Sequence, residues 1–295
     1  MSQAGKKGLG VGIGNWIKRL FGRDGVTIPV VRLHGVIAAE ARPGRLNIAG
    51  VAPLLRKAFA HKSAPVVAIV VNSPGGSPVQ SRLISVHIRD LALQHNKPVL
   101  VFVEDAAASG GYFIAVAGDE IFADPSSIVG SIGVIAASFG FVQAIEKLGI
   151  TRRVYAAGRN KSTLDPFLPE KAEDVERLKT AELDIHAVFI DHVKTRRGER
   201  LRGSDDELFT GEWWTGRRGM ELGLVDGLGD LHGVLRARFG KDVRLKVIEP
   251  KRGLLNLPFL GASVGRPAEG LAVGGLVAGA VEALEDRALW SRLGL

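Results

Sequence analysis

Two uninterrupted apolar runs, Val66 to Val71 (VVAIVV) and Pro98 to Val103 (PVLVFV), constrain this chain more than any other feature. A strand exposed on one face alternates apolar and polar side chains. These runs contain no polar position, so both of their faces must be covered. Between them, Asn72-Ser73-Pro74-Gly75-Gly76 reads as a turn, and Ser77 with Pro78 supplies an N-cap and N1 proline for a helix to about Gln94. A strand–helix–strand unit of this kind implies parallel strands joined by a right-handed crossover.

The same alternation continues on either side. Val26 to Leu33 is a β-branched run suited to a buried strand. Ile48 to Lys62 puts Ile48, Val51, Leu54, Leu55, Ala58 and Phe59 on one helical stripe, with Asn47 as its cap. After the second apolar run, a small-residue turn leads into a helix around Ser109 to Ala117. Short strands fit Glu120 to Ala123 and Ile150 to Ala156. A long helix fits Glu170 to about Lys194, with Val175, Leu178, Ile185 and Phe189 facing inward. The fold class is therefore α/β, with parallel strands and outer helices. Residues 26–245 read as one domain, residues 1–25 as a basic, partly amphipathic tail, and residues 246–295 as a Gly/Ala/Leu-rich segment of unassigned role.

Charge and composition exclude several function classes. Zero cysteines among 295 residues remove disulfides, a thiol nucleophile and thiolate metal sites. The net charge of +8 is compatible with an anionic surface, but it is not interleaved with an aromatic platform, which argues against nucleic acid. The tail carries Lys6, Lys7, Lys18, Arg19 and Arg23 around Trp16, Ile17, Leu20 and Phe21. Two readings stay open for it: peripheral contact with an anionic bilayer, or a disordered tail. No segment reads as a full membrane span or a signal peptide, so the expected location is cytoplasmic or peripherally membrane-associated. The apolar stretch Leu271 to Val281 (LAVGGLVAGAV) fits an oligomer contact, a peripheral membrane segment or a terminal helix equally.

Two features fall at the ends of the predicted parallel strands, where open α/β folds place their sites. Gly75 and Gly76 can turn backbone N–H groups outward to hold a phosphate or an oxyanion, or they can simply make a tight turn. Ser109, in Ala106-Ala107-Ala108-Ser109-Gly110-Gly111, lies among small residues at a helix start. There it is either an approachable nucleophile or an ordinary N-cap. A serine nucleophile needs a base. Lys161, in Ala157-Gly158-Arg159-Asn160-Lys161-Ser162, is a candidate if Leu164, Pro166 and Phe167 desolvate it; otherwise it is a solvated loop lysine.

The segments NSPGG, AAASGGYFIAVAGDEIFADPSSIVGSIGV, AGRNKSTLDPF and WTGRRGMELGLVDGLG resemble the S49 peptidases, signal peptide peptidase A and its relatives, in order and spacing over roughly residues 26–240. The resemblance implies a crotonase/ClpP-like fold of repeated β-β-α-type units. It implies a Ser–Lys dyad of Ser109 and Lys161, with Ser131 orienting the lysine. It also implies an oxyanion hole built from Gly110 and an amide of the Gly75-Gly76 turn. No cofactor or metal is expected. The implied partners are peptide substrates, small or aliphatic at the cleaved position, and further copies of the chain. In the implied homo-oligomeric ring, a tetramer or octamer, the dyad is assembled between neighbours.

Three other readings compete. A Ser–His–Asp hydrolase would use Ser109, His232 and Asp226, although the Gly-x-Ser-x-Gly elbow lacks its first glycine. A crotonase-like acyl-CoA enzyme would use the glycine amides without Ser109. A membrane-associated scaffold on the same fold would need neither.

Overall fold

The computed structural model describes residues 25–40, 42, 44–249, 283–284 and 286–295. The N-terminal tail up to residue 24 and the stretch Leu271 to Val281 lie outside the described residues.

The chain opens with β1 (Thr27–His34), followed by the short pair β2 (Val36–Ile37) and β3 (Arg45–Leu46), and then α1 (Ile48–Phe59). The central unit is β4 (Val67–Ser73), α2 (Pro78–His95), β5 (Val99–Ala108) and α3 (Gly110–Ala115). Next come β6 (Glu120–Ala123), β7 (Ile128–Gly130), α4 (Val142–Lys147) and the long α5 (Ala172–Arg197). The last group is α6 (Asp205–Leu208), β8 (Trp213–Thr215), α7 (Gly216–Glu221), β9 (Gly227–Leu228), α8 (Leu231–Phe239) and β10 (Arg244–Val247).

The main sheet runs β10-β1-β4-β5-β6-β9, and every pair along that path is parallel. Beyond β6, the far end of β5 pairs with β7, and β8 joins β7 antiparallel. This is the α/β class with parallel strands that the sequence implies.

The apolar runs are buried on both faces, as their sequence requires. Val67, Ile69 and Val71 of β4 join the large cluster under α1, α2 and α3, whereas Ala68 and Val70 join a second cluster closed by Leu231 and Leu235 of α8. The capping residues act as expected: Asn47 accepts from the Gly50 amide, and Ser77 accepts from the Gln80 amide with Pro78 in the first turn.

Two expected elements differ. Ile150 to Ala156 forms no strand; it is an extended, exposed stretch. Its Ile150, Val154 and Tyr155 have no strand to pair with among the described residues, and Tyr155 is 92% exposed. On α5, Phe189 is buried, but Ile185 is exposed, and the other buried positions are Asp174, Val193 and Arg197. Only the C-terminal half of α5 meets the core, so the inward stripe expected along its whole length is confined to its last turns.

The last described residues, 286–295, pack onto the domain. Leu293 packs against Ala106 and Ala108 of β5 and Ile128 of β7. Trp290 lies beside His34, with ring centroids 6.2 Å apart, and Asp286 pairs with Arg45 at 2.9 Å.

Candidate active site

The C-terminal end of β5 carries Ser109 in a backbone conformation that few non-glycine residues adopt, φ 51° and ψ −122°. It precedes the first residue of α3, yet its side chain makes no capping hydrogen bond. The N-cap reading of Ser109 therefore fails: the backbone is not cap-like, and the hydroxyl is not engaged with the helix. The main chain is fixed instead, because the Ser109 amide donates to the Gly130 carbonyl at 2.8 Å and the Phe113 amide donates to the Ser109 carbonyl at 3.0 Å.

The glycine turn that follows β4 is pressed against this point. A Cβ on Gly75 would lie 2.8 Å from the Ser109 Cβ and 3.0 Å from the Gly110 nitrogen. A Cβ on Gly110 would lie 3.4 Å from the Gly76 nitrogen. Gly75 and Gly76 have φ values of 109° and 134°, so both the spacing and the backbone require glycine here. The Gly75 amide is occupied by Ser73 Oγ at 3.2 Å. The Gly76 amide and the Gly110 amide, which is the first of its helix and has no intrahelical acceptor, are the pair that flanks Ser109. Ile37 of β2 closes over the turn, donating to the Gly75 carbonyl at 2.8 Å.

Ser131 lies on the neighbouring strand end. Ala108 is in register with Gly130, so Ser109 and Ser131 emerge side by side. Ser131 also has a positive φ of 52°, and its amide donates to the Glu212 carbonyl at 2.7 Å. The Trp214 ring packs over Gly130, where a Cβ would approach to 2.7 Å.

Lys161 is not part of this cluster. Among the described residues no hydrogen bond joins it to Ser109 or Ser131, and it lies exposed in a turn whose amide donates to Gly158 O at 3.1 Å. Leu164, Pro166 and Phe167 leave it exposed, which is the solvated-loop alternative for this lysine within one chain. The reason is the layout of the whole stretch from about residue 134 to 171, an arm held by its own contacts. Phe141 stacks on Phe167 at 5.5 Å, and Arg152 pairs with Asp165 at 2.9 Å. The arm leaves Ile135, Phe139, Leu148 and Tyr155 exposed by 68, 73, 73 and 92%. Burial does lower the pKa of another lysine, Lys97. That lysine precedes β5 and is tied to the Phe59 and His61 carbonyls, at the end of the strand opposite Ser109.

The histidine-based alternative loses its parts. Asp226 accepts from Arg197 at 2.7 and 3.1 Å, from Arg200, and from the Ile121 amide at 2.7 Å. Burial pushes its carboxyl up, but the two guanidinium groups and the amide outweigh that and hold it below the ordinary carboxylate range. This carboxylate closes the core around Arg197 and does not orient His232, which is exposed at the start of α8. His192 is half-buried, stacked on Phe113 at 4.2 Å and bonded to Ser85 Oγ and the Phe113 carbonyl. A cavity of about 490 Å³, lined by Arg32, Phe102, Asp124, Asp230 and His232 among others, includes neither Ser109, Ser131, Lys161 nor the glycine turn. Among the described residues no group of three or more His, Cys, Asp or Glu is placed to hold a metal ion.

Two buried side chains near Ser109 escaped the reading of the sequence. Asn72, at the head of the NSPGG turn, and Ser127, in the loop before β7, both bind backbone groups of β5. The glycines mark the turn in the sequence, whereas nothing there assigns a role to Asn72 or sets Ser127 apart from the other serines.

Comparison with known proteins adds to this geometry. The sequence model of peptidase family S49 matches residues 91–244. A chloroplastic serine protease SPPA of Arabidopsis thaliana is 29% identical over 86% of this chain and 39% of its own length. Protease 4 of Salmonella typhi is 33% identical over 70% of this chain and 33% of its own length. A Brucella abortus protein named Na(+)/H(+) antiporter NhaA is 56% identical over 95% of this chain, but the match spans 38% of that protein. With 38% of that protein matched, its name is not carried to this chain; no helix among the described residues is long and apolar enough to cross a membrane. The chain spans between a third and two-fifths of the length of these relatives. A family match over more than half of the chain, laid across the strand that delivers Ser109, settles its kinship: the chain belongs to peptidase family S49.

Proposed function

We propose that this chain is a serine peptidase with Ser109 as nucleophile and Lys161 as general base, the lysine being delivered by a second copy of the chain. The observation that carries the reading is the placement of Ser109: a strained strand-end serine whose hydroxyl does not cap its helix, flanked by the Gly76 and Gly110 amides. Family membership supports peptide chemistry, and the arm bearing Lys161 supports assembly, because the described residues leave its Ile135, Phe139, Leu148 and Tyr155 exposed.

In the proposed reaction a neutral Lys161 accepts the Ser109 proton as Oγ attacks the scissile carbonyl. The tetrahedral oxyanion lies against the two glycine amides, and Ser131 orients the lysine amine. The ammonium then protonates the leaving amine, and water attacks the acyl-enzyme with Lys161 again as base. A neighbouring protomer packed over the arm would also desolvate Lys161 and favour its neutral form. The substrates proposed are extended or unfolded peptides, small or aliphatic at the cleaved position, such as membrane-derived remnants.

Mixing variants tests both halves of the proposal. Ser109→Ala removes fluorophosphonate labelling and peptidase activity, and Lys161→Ala lowers turnover by about 10²–10⁴-fold. Co-assembled Ser109→Ala and Lys161→Ala chains recover activity if the dyad is shared between protomers, because some pairs unite an intact serine with an intact lysine. A mixture as inactive as its components places both groups in one chain. Labelling that survives Lys161→Ala moves the base elsewhere.

A further inference from the structure

The strand that delivers Ser109 is out of step with its neighbour. Val71 of β4 faces Val103 of β5, but Ser73 faces Ala107, so β5 gains two residues, Glu104 and Asp105, over that interval. A bulge of this kind takes backbone groups out of the ladder and leaves them needing partners. It also decides where the strand ends. A slip of one residue would turn Ser109 to the opposite face of the sheet, and a slip of two would carry it away from the glycine turn.

Two buried side chains hold the bulge from opposite sides. Asn72, 4% exposed, lies across from it on β4. Its Oδ1 accepts from the Ala106 amide at 3.2 Å, and its Nδ2 donates to Asp105 Oδ2 at 2.6 Å. The two contacts fix the amide's orientation, since only Oδ1 can accept from an N–H and only Nδ2 can donate to a carboxylate. From the β7 side Ser127, 2% exposed, donates its hydroxyl to the Glu104 carbonyl and accepts from the Asp124 amide at 3.1 Å. Asn72 stands three residues before Gly75, and Ala106 stands three residues before Ser109. The Asn72 side chain therefore ties the strand that carries the glycine amides to the strand that carries the nucleophile.

We infer that Asn72 and Ser127 are positioning residues, which lock the β5 bulge so that Ser109 Oγ is held in register with the Gly76 and Gly110 amides. The inference rests on the peptidase reading for its kinetic consequence and on the bulge geometry for its structural one. Neither residue touches a reacting atom. Their effect falls on the alignment of nucleophile and oxyanion donors, so they influence turnover more than substrate binding.

A side-chain exchange tests this. Asn72→Asp keeps the acceptor for the Ala106 amide but sets a carboxylate against Asp105, so the lock opens. Asp105→Asn, whose amide oxygen still accepts from Asn72, costs less. The double variant Asn72→Asp/Asp105→Asn restores one acceptor and one donor with the roles reversed. The expected result for Asn72→Asp is a kcat lower by roughly ten- to a hundredfold with KM within about twofold, and recovery of most of that loss in the double variant. Ser127→Ala lowers kcat in the same sense, by roughly tenfold. Amide exchange of residues 104–110, followed by mass spectrometry, should quicken in Asn72→Asp and slow again in the double variant.

An Asn72→Asp enzyme with wild-type kcat, or a double variant no better than the single, overturns the inference. So does a loss of activity that merely follows the fraction of folded protein seen in thermal unfolding. If the wild type neither cleaves peptides nor labels at Ser109, the peptidase reading fails instead, and the exchange of residues 104–110 alone still decides whether Asn72 locks the bulge.

Discussion

The residues that hold this molecule together are distinct from those proposed to do its chemistry, and the two groups respond differently to pH and substitution. The Arg197 side chain is 1% exposed, and Asp226 is its main charge partner. Asp226→Asn leaves a buried guanidinium uncompensated and should cost about 3–5 kcal/mol, read as a lowered denaturant midpoint. His192 supplies a pH signature. Burial, reinforced by Arg196 and Arg82 against the hydrogen bond to the Phe113 carbonyl, pushes its pKa from 6.5 down to about 4. The unfolded chain therefore binds this proton more readily than the folded one. Stability is full above pH 6.5 and falls as the pH drops from there toward 4, by roughly 3 kcal/mol for this group. Urea titrations across that range should show the decline, and His192→Phe should flatten it. Ser109 was legible from its small-residue setting, and the glycine turn from its composition. Asn72 and Ser127 were not, because a side chain that satisfies backbone groups of a bulge acts across strands and leaves no local pattern.

At the level of elements, the central strands and their helices follow from apolar runs and caps that need no tertiary information, which is why β4, α2 and β5 were readable. The arm from residue 134 to 171 was not. Ile150, Val154 and Tyr155 have the composition of a buried strand, yet among the described residues they pair with no strand, so local pattern suggested a strand where there is an exposed extended stretch. If a second copy covers this surface, charging it should separate the copies. Phe139→Asp together with Leu148→Asp, at positions each 73% exposed, should leave the chain folded but shift sedimentation to the monomer. Ser109 labelling should fall in parallel, since the proposed base then has no route to the nucleophile. Burying two such side chains is worth about 3–6 kcal/mol, enough to weaken association by a hundredfold or more.

For the molecule as a whole, the parallel order of the sheet places β1, β4, β5 and β7 ends around one site, and a distant segment braces that side. Arg45 and Asp286, which pair across it, are 241 positions apart in the chain. Leu293→Asp should destabilise the fold by about 2–4 kcal/mol by placing a charge against Ala106, Ala108 and Ile128, measurable as a lowered thermal midpoint. This separation also has a consequence in time. A chain emerging from the ribosome presents the strand leading to Ser109 long before Leu293 is made, and loop closure over so many residues is expected late in folding. Until that closure, an apolar strip of the strand leading to Ser109 is open to solvent. If the sheet forms before its brace, refolding should show docking of the brace as a slow phase that Leu293→Ala alters while leaving the early phases alone; a single phase unchanged by Leu293→Ala would place the two events together.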